Sequence, residues 1–235
     1  MQDNVIPQGK WVFDEKVTNC FENMIERCIP NYDTIRKLVF DLGCCFVKEG
    51  TEIIDLGCST GIGIKPFIDK YGAHNHFTLI DSSKPMIDKC NKEYSGYIRT
   101  NIIDVECLDL KNGIKKRNTS LILSFLTLQF VPMEYRAKLL SDIYNALNYG
   151  GAFILIEKLI SDSNKINNIY LDKYYLHKIE NGYTQNEITT KRKSLEGVLV
   201  PLTSKWNEDF LRSQGFSHVE CFWRWLNFGG FIAVK

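Results

Sequence analysis

The sequence predicts an α/β domain in which helices cover both faces of a doubly wound, mostly parallel sheet. Strand-like apolar runs alternate with segments of helical periodicity from residue 53 to residue 156. A glycine-rich turn follows the first apolar run, and an acidic residue, Asp81, ends the second. Because parallel strands end at the same edge of a sheet, we expect this turn and Asp81 to lie side by side.

The predicted strands are short runs of apolar residues. Five of them alternate with helices, at residues 53–54, 77–80, 97–103, 121–125 and 152–156. The fourth run is almost entirely apolar, as expected for a strand in the buried middle of a parallel sheet. Two further runs, 216–222 and 231–234, are separated by Asn227 and a pair of glycines. They predict an antiparallel pair that closes the sheet at one edge.

The remaining segments complete a single domain. Apolar residues at helical spacing predict two helices before the first strand, around residues 17–28 and 35–46, and another over residues 132–148. Residues 1–10 are interpreted as a flexible tail, and residues 11–235 as one domain. Residues 158–205 are polar and tyrosine-rich, and they are too long for a simple connection. We therefore expect a helical insertion there.

Composition excludes several classes of function. The formal net charge of the 235-residue chain is +1, without the basic footprint of a nucleic-acid binder. Its eight cysteines form no C-x-x-C pair, which favours a reducing, cytoplasmic setting. No apolar run approaches the ~18 residues that a membrane span needs. His74 and His76 lack a third ligand at useful spacing, so no metal site is predicted.

The glycine-rich turn, residues 55–61, predicts a nucleoside site. Gly57 and Gly61 remove side chains where a ligand would lie against the backbone, and the following helix offers free N–H groups. Asp81 can accept hydrogen bonds from both hydroxyls of a ribose. The spacing Gly57-x-Ser59-x-Gly61 differs from the G-x-G-x-x-G fingerprint of dinucleotide-binding folds.

This pattern, with Asp55 before the turn and Asp81 after the second strand, resembles the class I S-adenosylmethionine (SAM)-dependent transferases. The resemblance implies a Rossmann-like, seven-stranded sheet with an antiparallel last strand, and SAM as the cofactor. It also implies an adenine-binding loop at residues 101–104 and a further contact to the methionine part of SAM from the end of the fourth strand.

A closer resemblance is to the carboxy-S-adenosylmethionine synthases. It rests on motifs in the same order and spacing: Trp11-x-Phe13-Asp14-x-x-Val17, Phe21-x-x-Met24-Ile25-x-Arg27-x-x-Pro30-x-Tyr32, Asp55-Leu56-Gly57-Cys58-Ser59, Asp81-x-Ser83-x-Pro85-Met86-Ile87, Thr127-Leu128-Gln129-Phe130, Glu157-Lys158, Asn181-Gly182-Tyr183, Lys191-Arg192-x-x-Leu195-Glu196-x-Val198 and Asn227-Phe228. The resemblance implies that a carboxyl group passes from prephenate to the methyl carbon of SAM, with release of phenylpyruvate. The sulfonium would acidify the methyl group, an ylide would capture carbon dioxide, and no metal would be needed. The product would feed the modification of a wobble uridine in transfer RNA by a separate enzyme.

The same resemblance implies roles for individual residues. Those implied to bind the cofactor are Tyr32, Gly57, Cys58, Ser59, Asp81, Ser82, Asn101 and Ile102. Arg192 would act as a catalytic residue that binds a carboxylate. It would reach the site of the partner subunit in a homodimer. A guanidinium suits that role because it holds a carboxylate through two parallel hydrogen bonds.

The chain departs from the family pattern at the end of the fourth strand, where Phe125 stands in place of an asparagine. We expect Phe125 to contact the cofactor and to influence catalysis, since an aromatic face can bind a sulfonium with about 0.5–2 kcal/mol. This change leaves other reactions open. Aromatic packing, with the tyrosines of the insertion, could favour cyclisation of SAM to azetidine-2-carboxylate and methylthioadenosine. Methyl transfer to a small molecule and a non-catalytic binding module are further alternatives.

Overall fold

A computed structural model describes residue 3 and residues 5–235, which form one sheet flanked by helices. The strands are β1 Glu52–Leu56, β2 His76–Asp81, β3 Ile103–Cys107, β4 Thr119–Phe125, β5 Leu147–Lys158, β6 His218–Trp225 and β7 Phe228–Val234. The helices are α1 Glu15–Cys28, α2 Tyr32–Cys44, α3 Lys65–Tyr71, α4 Lys84–Glu93, α5 Ser95–Arg99, α6 Met133–Ala146, α7 Asn164–Glu180, α8 Gln185–Leu195 and α9 Ser204–Ser213.

The seven strands form one sheet in the order β3-β2-β1-β4-β5-β7-β6. Strands β1 to β5 pair in parallel, whereas β7 runs antiparallel to both β5 and β6. The predicted fold class and its closing antiparallel pair are therefore confirmed. The strand order reverses between β1 and β4, which opens a crevice at their carboxyl ends, where ligands of such folds bind.

Successive residues of each strand face opposite sides of the sheet, and each side has its own hydrophobic core. Ile53 of β1 packs in a core with α2, α3 and α4, while its neighbour Ile54 packs in a core with α6 and α9. Both isoleucines are fully buried. Burial on both faces explains why these strands read as continuous apolar runs rather than as an alternating pattern.

The prediction for the third strand was wrong. Residues 97–103 were expected to form it, but residues 95–99 form helix α5, and β3 spans Ile103–Cys107. The reason is that β3 is an edge strand and pairs only with β2. Ile103 is the only one of its residues that is buried, and Asp104 and Glu106 interrupt the apolar run that a buried strand would show.

Residues 1–10, which were predicted to form a flexible tail, include one residue that is buried. Asp3 is only 1% exposed, and its backbone N–H donates to Oδ1 of Asn23 at 2.9 Å. Its carboxylate accepts from the hydroxyl of Tyr183 and forms an ion pair with Lys191. At Asp3 the segment is thus fixed against the insertion, because a buried carboxylate needs such partners. Residues 1, 2 and 4 lie outside the described residues.

The predicted insertion, residues 158–205, contains α7, α8 and the beginning of α9. Side chains define where these helices start. Ser163 and Thr203 accept hydrogen bonds from the first turns of α7 and α9, and Thr184 forms a capping box with Glu187 at the start of α8. Within residue 3 and residues 5–235, none of the helices is long and apolar enough to cross a membrane.

Candidate active site

A cavity of about 450 Å³ opens at the carboxyl ends of the central strands. Its floor is the turn after β1 together with the ends of β2, β4 and β5, and its cover comes from α1, α2, α7 and α8. The site residues predicted from the sequence that line it are Tyr32, Gly57, Cys58, Ser59, Asp81, Ser82 and Phe125. Three others, Asn101, Ile102 and Arg192, do not line the cavity of this chain.

Asp81 fixes the glycine-rich turn through both of its carboxylate oxygens. Oδ2 accepts from the backbone N–H of Ser59 at 2.9 Å, and Oδ1 accepts from that of Ser83 at 2.8 Å. Burial raises the pKa of Asp81, while the N–H donors of Ser83 and Ser59 oppose that rise. Two donors leave lone pairs free on a carboxylate, so Asp81 can still accept from the hydroxyls of a ribose.

Gly57 sits where the backbone must turn tightly against the loop after β4. Its φ is +73°, and a Cβ at this position would lie 2.1 Å from Oγ1 of Thr127. Its N–H donates to the carbonyl of Ile80 at 2.7 Å, which joins the turn to β2. No side chain fits here without moving the loop. The lack of a side chain at Gly57 therefore allows the loop after β4 to pack directly against the turn.

The structure corrects the predicted adenine loop. Asn101 and Ile102 precede β3 and lie beside the start of β2. They are therefore at the amino ends of the strands, whereas the cavity lies at the carboxyl ends. The loop that reaches the cavity follows β3 and contains Asp109 and Leu110. Asp109 can accept a hydrogen bond from an exocyclic amine, and Leu110 offers an apolar surface to a base. The error follows directly from the misplaced third strand.

At the carboxyl end of β4, where the resemblance implies a contact to the methionine part of SAM, the cavity combines two charged groups with two aromatic rings; we call this the methionine end. Arg36 and Asp55 line it beside Tyr32 and Phe125. Burial raises the pKa of Asp55 to about 7, an effect that the Arg36 guanidinium opposes and the Asp81 carboxylate reinforces. Arg36 forms no ion pair within the described part of the chain. A guanidinium and a carboxyl group here can bind the carboxylate and the amine of an amino acid.

Phe125 is held by its neighbours. Cζ of Arg36 lies 4.9 Å from the centroid of its ring, and the ring of Tyr32 meets it edge-on at 5.8 Å. The guanidinium therefore already covers one face of the Phe125 ring, as a cation–π partner. Any contact between Phe125 and a sulfonium would use the other face or the edge of the ring. Arg36 is a site residue that the sequence analysis missed.

A buried arginine joins the floor of the cavity to its cover. Arg136 is 1% exposed; its Nη2 donates to the carbonyls of Gln129 and Val200, and its Nε donates to that of Val131. Nearby Glu157 is also buried, and burial raises its pKa to about 8 against the opposing effect of Arg136. Arg136 thus positions the loop after β4, and with it the wall of the cavity.

Arg192 lies on α8 with its side chain exposed. Its neighbour Lys191 is buried and lines the cavity instead, together with Lys158 and Lys178. A single chain therefore does not bring Arg192 to its own cofactor turn. The basic end of its cavity is built from lysines, and the sequence analysis assigned no role to any of them.

The sheet order, the antiparallel β7 and the ligand crevice beside the glycine-rich turn define a class I SAM-dependent methyltransferase fold. A family model described as a methyltransferase domain matches residues 53–151. A crystal structure from Methanococcus maripaludis, assigned to the SAM-dependent methyltransferases, aligns with a TM-score of 0.61 and 19% identity, over 98% of this chain and 97% of that one. Human N-acetylserotonin methyltransferase in complex with SAM aligns with a TM-score of 0.61 and 15% identity, over 94% of this chain and 55% of that one.

Sequence relatives define the family more narrowly. The carboxy-S-adenosyl-L-methionine synthase of Methylococcus capsulatus is 38% identical over 95% of this chain and 93% of its own length. Those of Wolinella succinogenes and Helicobacter hepaticus are 37% and 35% identical, over 95% and 100% of this chain and 92% and 100% of their own lengths. The chain belongs to the carboxy-S-adenosyl-L-methionine synthase family. It is a SAM-utilising transferase, and SAM is its cofactor.

Proposed function

We propose that this chain transfers a carboxyl group from prephenate to the methyl carbon of SAM. The proposal rests on one observation above all: the cavity continues past the cofactor turn into a basic pocket lined by Lys158, Lys178 and Lys191. A protein of this fold that bound only SAM would not need a basic pocket beside the cofactor. The full-length similarity to carboxy-SAM synthases names the reaction that would use it.

In the proposed reaction, prephenate loses its ring carboxyl group as carbon dioxide and its ring hydroxyl as hydroxide, leaving phenylpyruvate. The hydroxide takes a proton from the SAM methyl group and becomes water, and the adjacent sulfonium stabilises the resulting ylide. The ylide carbon then forms a bond to carbon dioxide. The protein supplies position, a dry cavity and charge, which are the means by which an enzyme promotes a step whose base comes from the substrate.

The test is to incubate purified protein with SAM carrying a trideuterated methyl group, with and without prephenate, and to follow the products by mass spectrometry. Carboxyl transfer replaces one deuterium by a carboxyl group and requires prephenate. Methyl transfer keeps all the deuterium on the acceptor. Cyclisation gives azetidine-2-carboxylate and leaves the labelled methyl group on methylthioadenosine.

The appearance of methylthioadenosine without prephenate would refute the proposal and establish the cyclase instead. That outcome would draw attention to Phe125, because its ring occupies the methionine end where the family has an asparagine. Phe125→Asn should then weaken cyclisation, whereas a carboxyl-transfer enzyme should keep or increase its rate. For a carboxyl-transfer enzyme, we further propose that the product serves the modification of a wobble uridine by a separate enzyme.

We propose that the active unit is a homodimer in which Arg192 acts in the site of the partner subunit. Two features support this. Arg192 is exposed and outside its own cavity. Helix α7 carries a second apolar stripe of exposed residues, on the side opposite Tyr174 and Lys178, formed by Ile166, Ile169, Leu176 and Ile179. A helix that is apolar on two opposite faces needs a second partner to cover it.

Mixing inactive variants tests this arrangement. Arg192→Ala and Asp81→Asn should each lose activity alone, since one removes the carboxylate ligand and the other weakens SAM binding. In a mixed dimer one site carries both defects and the other carries neither, so activity should reappear on mixing. Failure of activity to reappear, in samples shown by light scattering to contain mixed dimers, would place Arg192 outside the partner's site.

A further inference from the structure

We propose that Lys158 and Lys178 form a subsite for the two negative charges of a small dicarboxylate, and that this subsite seats the co-substrate beside SAM. The inference rests on the proposed function for the identity of that co-substrate. The location of the subsite, however, follows from the charges and contacts of this chain. Neither lysine is needed to explain how the glycine-rich turn binds SAM.

Both lysines line the cavity. Lys178 is 7% exposed, and Lys158, at the end of β5, is half-buried. Within the described residues, neither ammonium forms an ion pair, whereas the neighbouring Lys191 is paired with Asp3. Unpaired ammonium groups are costly to bury, so buried charges are normally paired. Two positive charges thus face one cavity, and no acidic group of the described residues is paired with either.

Both ammonium groups lie near the ring of Tyr174. Nζ of Lys158 lies 4.6 Å and Nζ of Lys178 lies 5.4 Å from the centroid of the Tyr174 ring. Lys178 also lies 5.1 Å from the Tyr183 ring, and the hydroxyl of Tyr183 donates to Asp3. The rings fix the direction of the lysine side chains and supply weak cation–π stabilisation. They provide no negative charge, so the positive charge of the pair stays available to a ligand.

The electrostatics agree with this geometry. Burial, together with the smaller effect of the charge on Lys178, lowers the pKa of Lys158 to about 8. Burial and the charge on Lys191 also lower the pKa of Lys178, whereas Cys28 and the more distant Asp3 carboxylate oppose that change. Each ammonium is therefore destabilised in the empty site, and an anion placed between them would stabilise both. Two like charges kept together at such a cost indicate a ligand-binding role more than a structural one.

The count of charges selects the class of ligand. Of the three lysines in the basic pocket, Lys191 is paired with Asp3, which leaves two unpaired ammonium groups, and prephenate carries two carboxylates. A monoanion would leave one ammonium without a partner, so it should bind more weakly. The sulfonium of SAM would bind in the same cavity, and a dianion between it and the lysines would separate the cations. Charge complementarity thus favours a dicarboxylate over a neutral methyl acceptor.

The experiment measures binding directly, so that it does not depend on turnover. Protein saturated with S-adenosylhomocysteine, which cannot react, is titrated with prephenate in a calorimeter. We expect Lys158→Met and Lys178→Met each to raise the Kd for prephenate about tenfold or more, as expected for the loss of a charge-assisted hydrogen bond. The Kd for SAM should stay within about twofold of wild type. The matched control is Lys173→Met, because Lys173 is an exposed lysine on α7, the helix that carries Lys178.

Thermal unfolding separates a binding role from a structural one. Removing an uncompensated buried cation should leave the Tm of Lys158→Met unchanged or higher, whereas loss of a structural lysine would lower it. Phenylpyruvate, which has one carboxylate, should bind more weakly than prephenate.

The inference is overturned if both variants bind prephenate as tightly as Lys173→Met, or if wild-type protein that binds SAM does not bind prephenate. Lysine-dependent binding of prephenate without carboxyl transfer would instead refute the proposed function and leave the subsite in place.

Discussion

Asp55 should make the stability of the protein depend on pH, and replacing it with asparagine should remove that dependence. Its pKa is about 7 in the fold, against an ordinary value of 3.8. A difference of about three pKa units is worth about 4 kcal/mol. Because the pKa is raised, the folded state holds the proton more tightly than the unfolded state does. The wild-type protein therefore loses stability as the pH rises from about 4 to about 7, and this loss is complete above pH 7.

The assay is urea unfolding of wild type and Asp55→Asn without cofactor, at about pH 5 and about pH 8. We expect the variant to gain about 3 kcal/mol relative to wild type between the two values, since most of the titration lies in that interval. Any fixed cost of the amide cancels in this comparison, as do titrations of other groups such as Glu157. A free-energy difference between the two proteins that does not change with pH would refute the assignment of a raised pKa to Asp55.

Three further predictions concern cofactor binding. Gly57→Ala should abolish SAM binding, and it should lower the free energy of unfolding by more than Gly50→Ala does. Both positions have a positive φ, but only at Gly57 do other atoms occupy the place of a Cβ. Gly50→Ala should therefore show only the conformational cost of about 1–2 kcal/mol. Arg36→Met should raise the Kd for SAM about tenfold. Its Kd for methylthioadenosine, which lacks the carboxylate, should not change; an equal loss for both ligands would argue against carboxylate binding by Arg36. Asp109→Ala should weaken SAM binding measured by calorimetry, whereas Asn101→Ala should not, and the reverse order would restore the loop predicted from the sequence.

The central part of the fold could be predicted because its physics is local. The strands around Ile53 and Ile122 are buried on both faces, so their apolar runs are visible in the sequence. The turn at Gly57 and the acidic residue Asp81 follow strands at a recognisable spacing. The position of edge strand β3 was predicted wrongly because only Ile103 of its five residues is buried, so the strand has no continuous apolar run. Because of that single error, the predicted adenine contacts were placed at the amino ends of the strands instead of the carboxyl ends.

The basic end of the cavity could not be predicted for a different reason. Charged residues such as Lys158 and Lys178 are nearly always solvated, so a sequence gives no reason to expect them buried. Their burial depends on contacts between segments far apart in the chain, such as the contact of Lys158 with the ring of Tyr174. Arg36 was missed because it is one of several charged residues on α2, and only the packing of Phe125 against it distinguishes it.

The construction of the cavity has a consequence for how such enzymes can be altered. The cofactor turn belongs to the region that matches the general methyltransferase domain, residues 53–151, whereas the cover comes from segments before and after it. Those two segments are joined directly, since the N–H of Trp11 donates to the carbonyl of Ser194 at 2.9 Å and Nε of Arg27 donates to that of Asn181 at 2.7 Å. Recombination between relatives could therefore exchange the chemistry while keeping the cofactor, provided that both terminal segments are inherited together. A chimaera that inherits only one of the two terminal segments would lose the matched contacts between them.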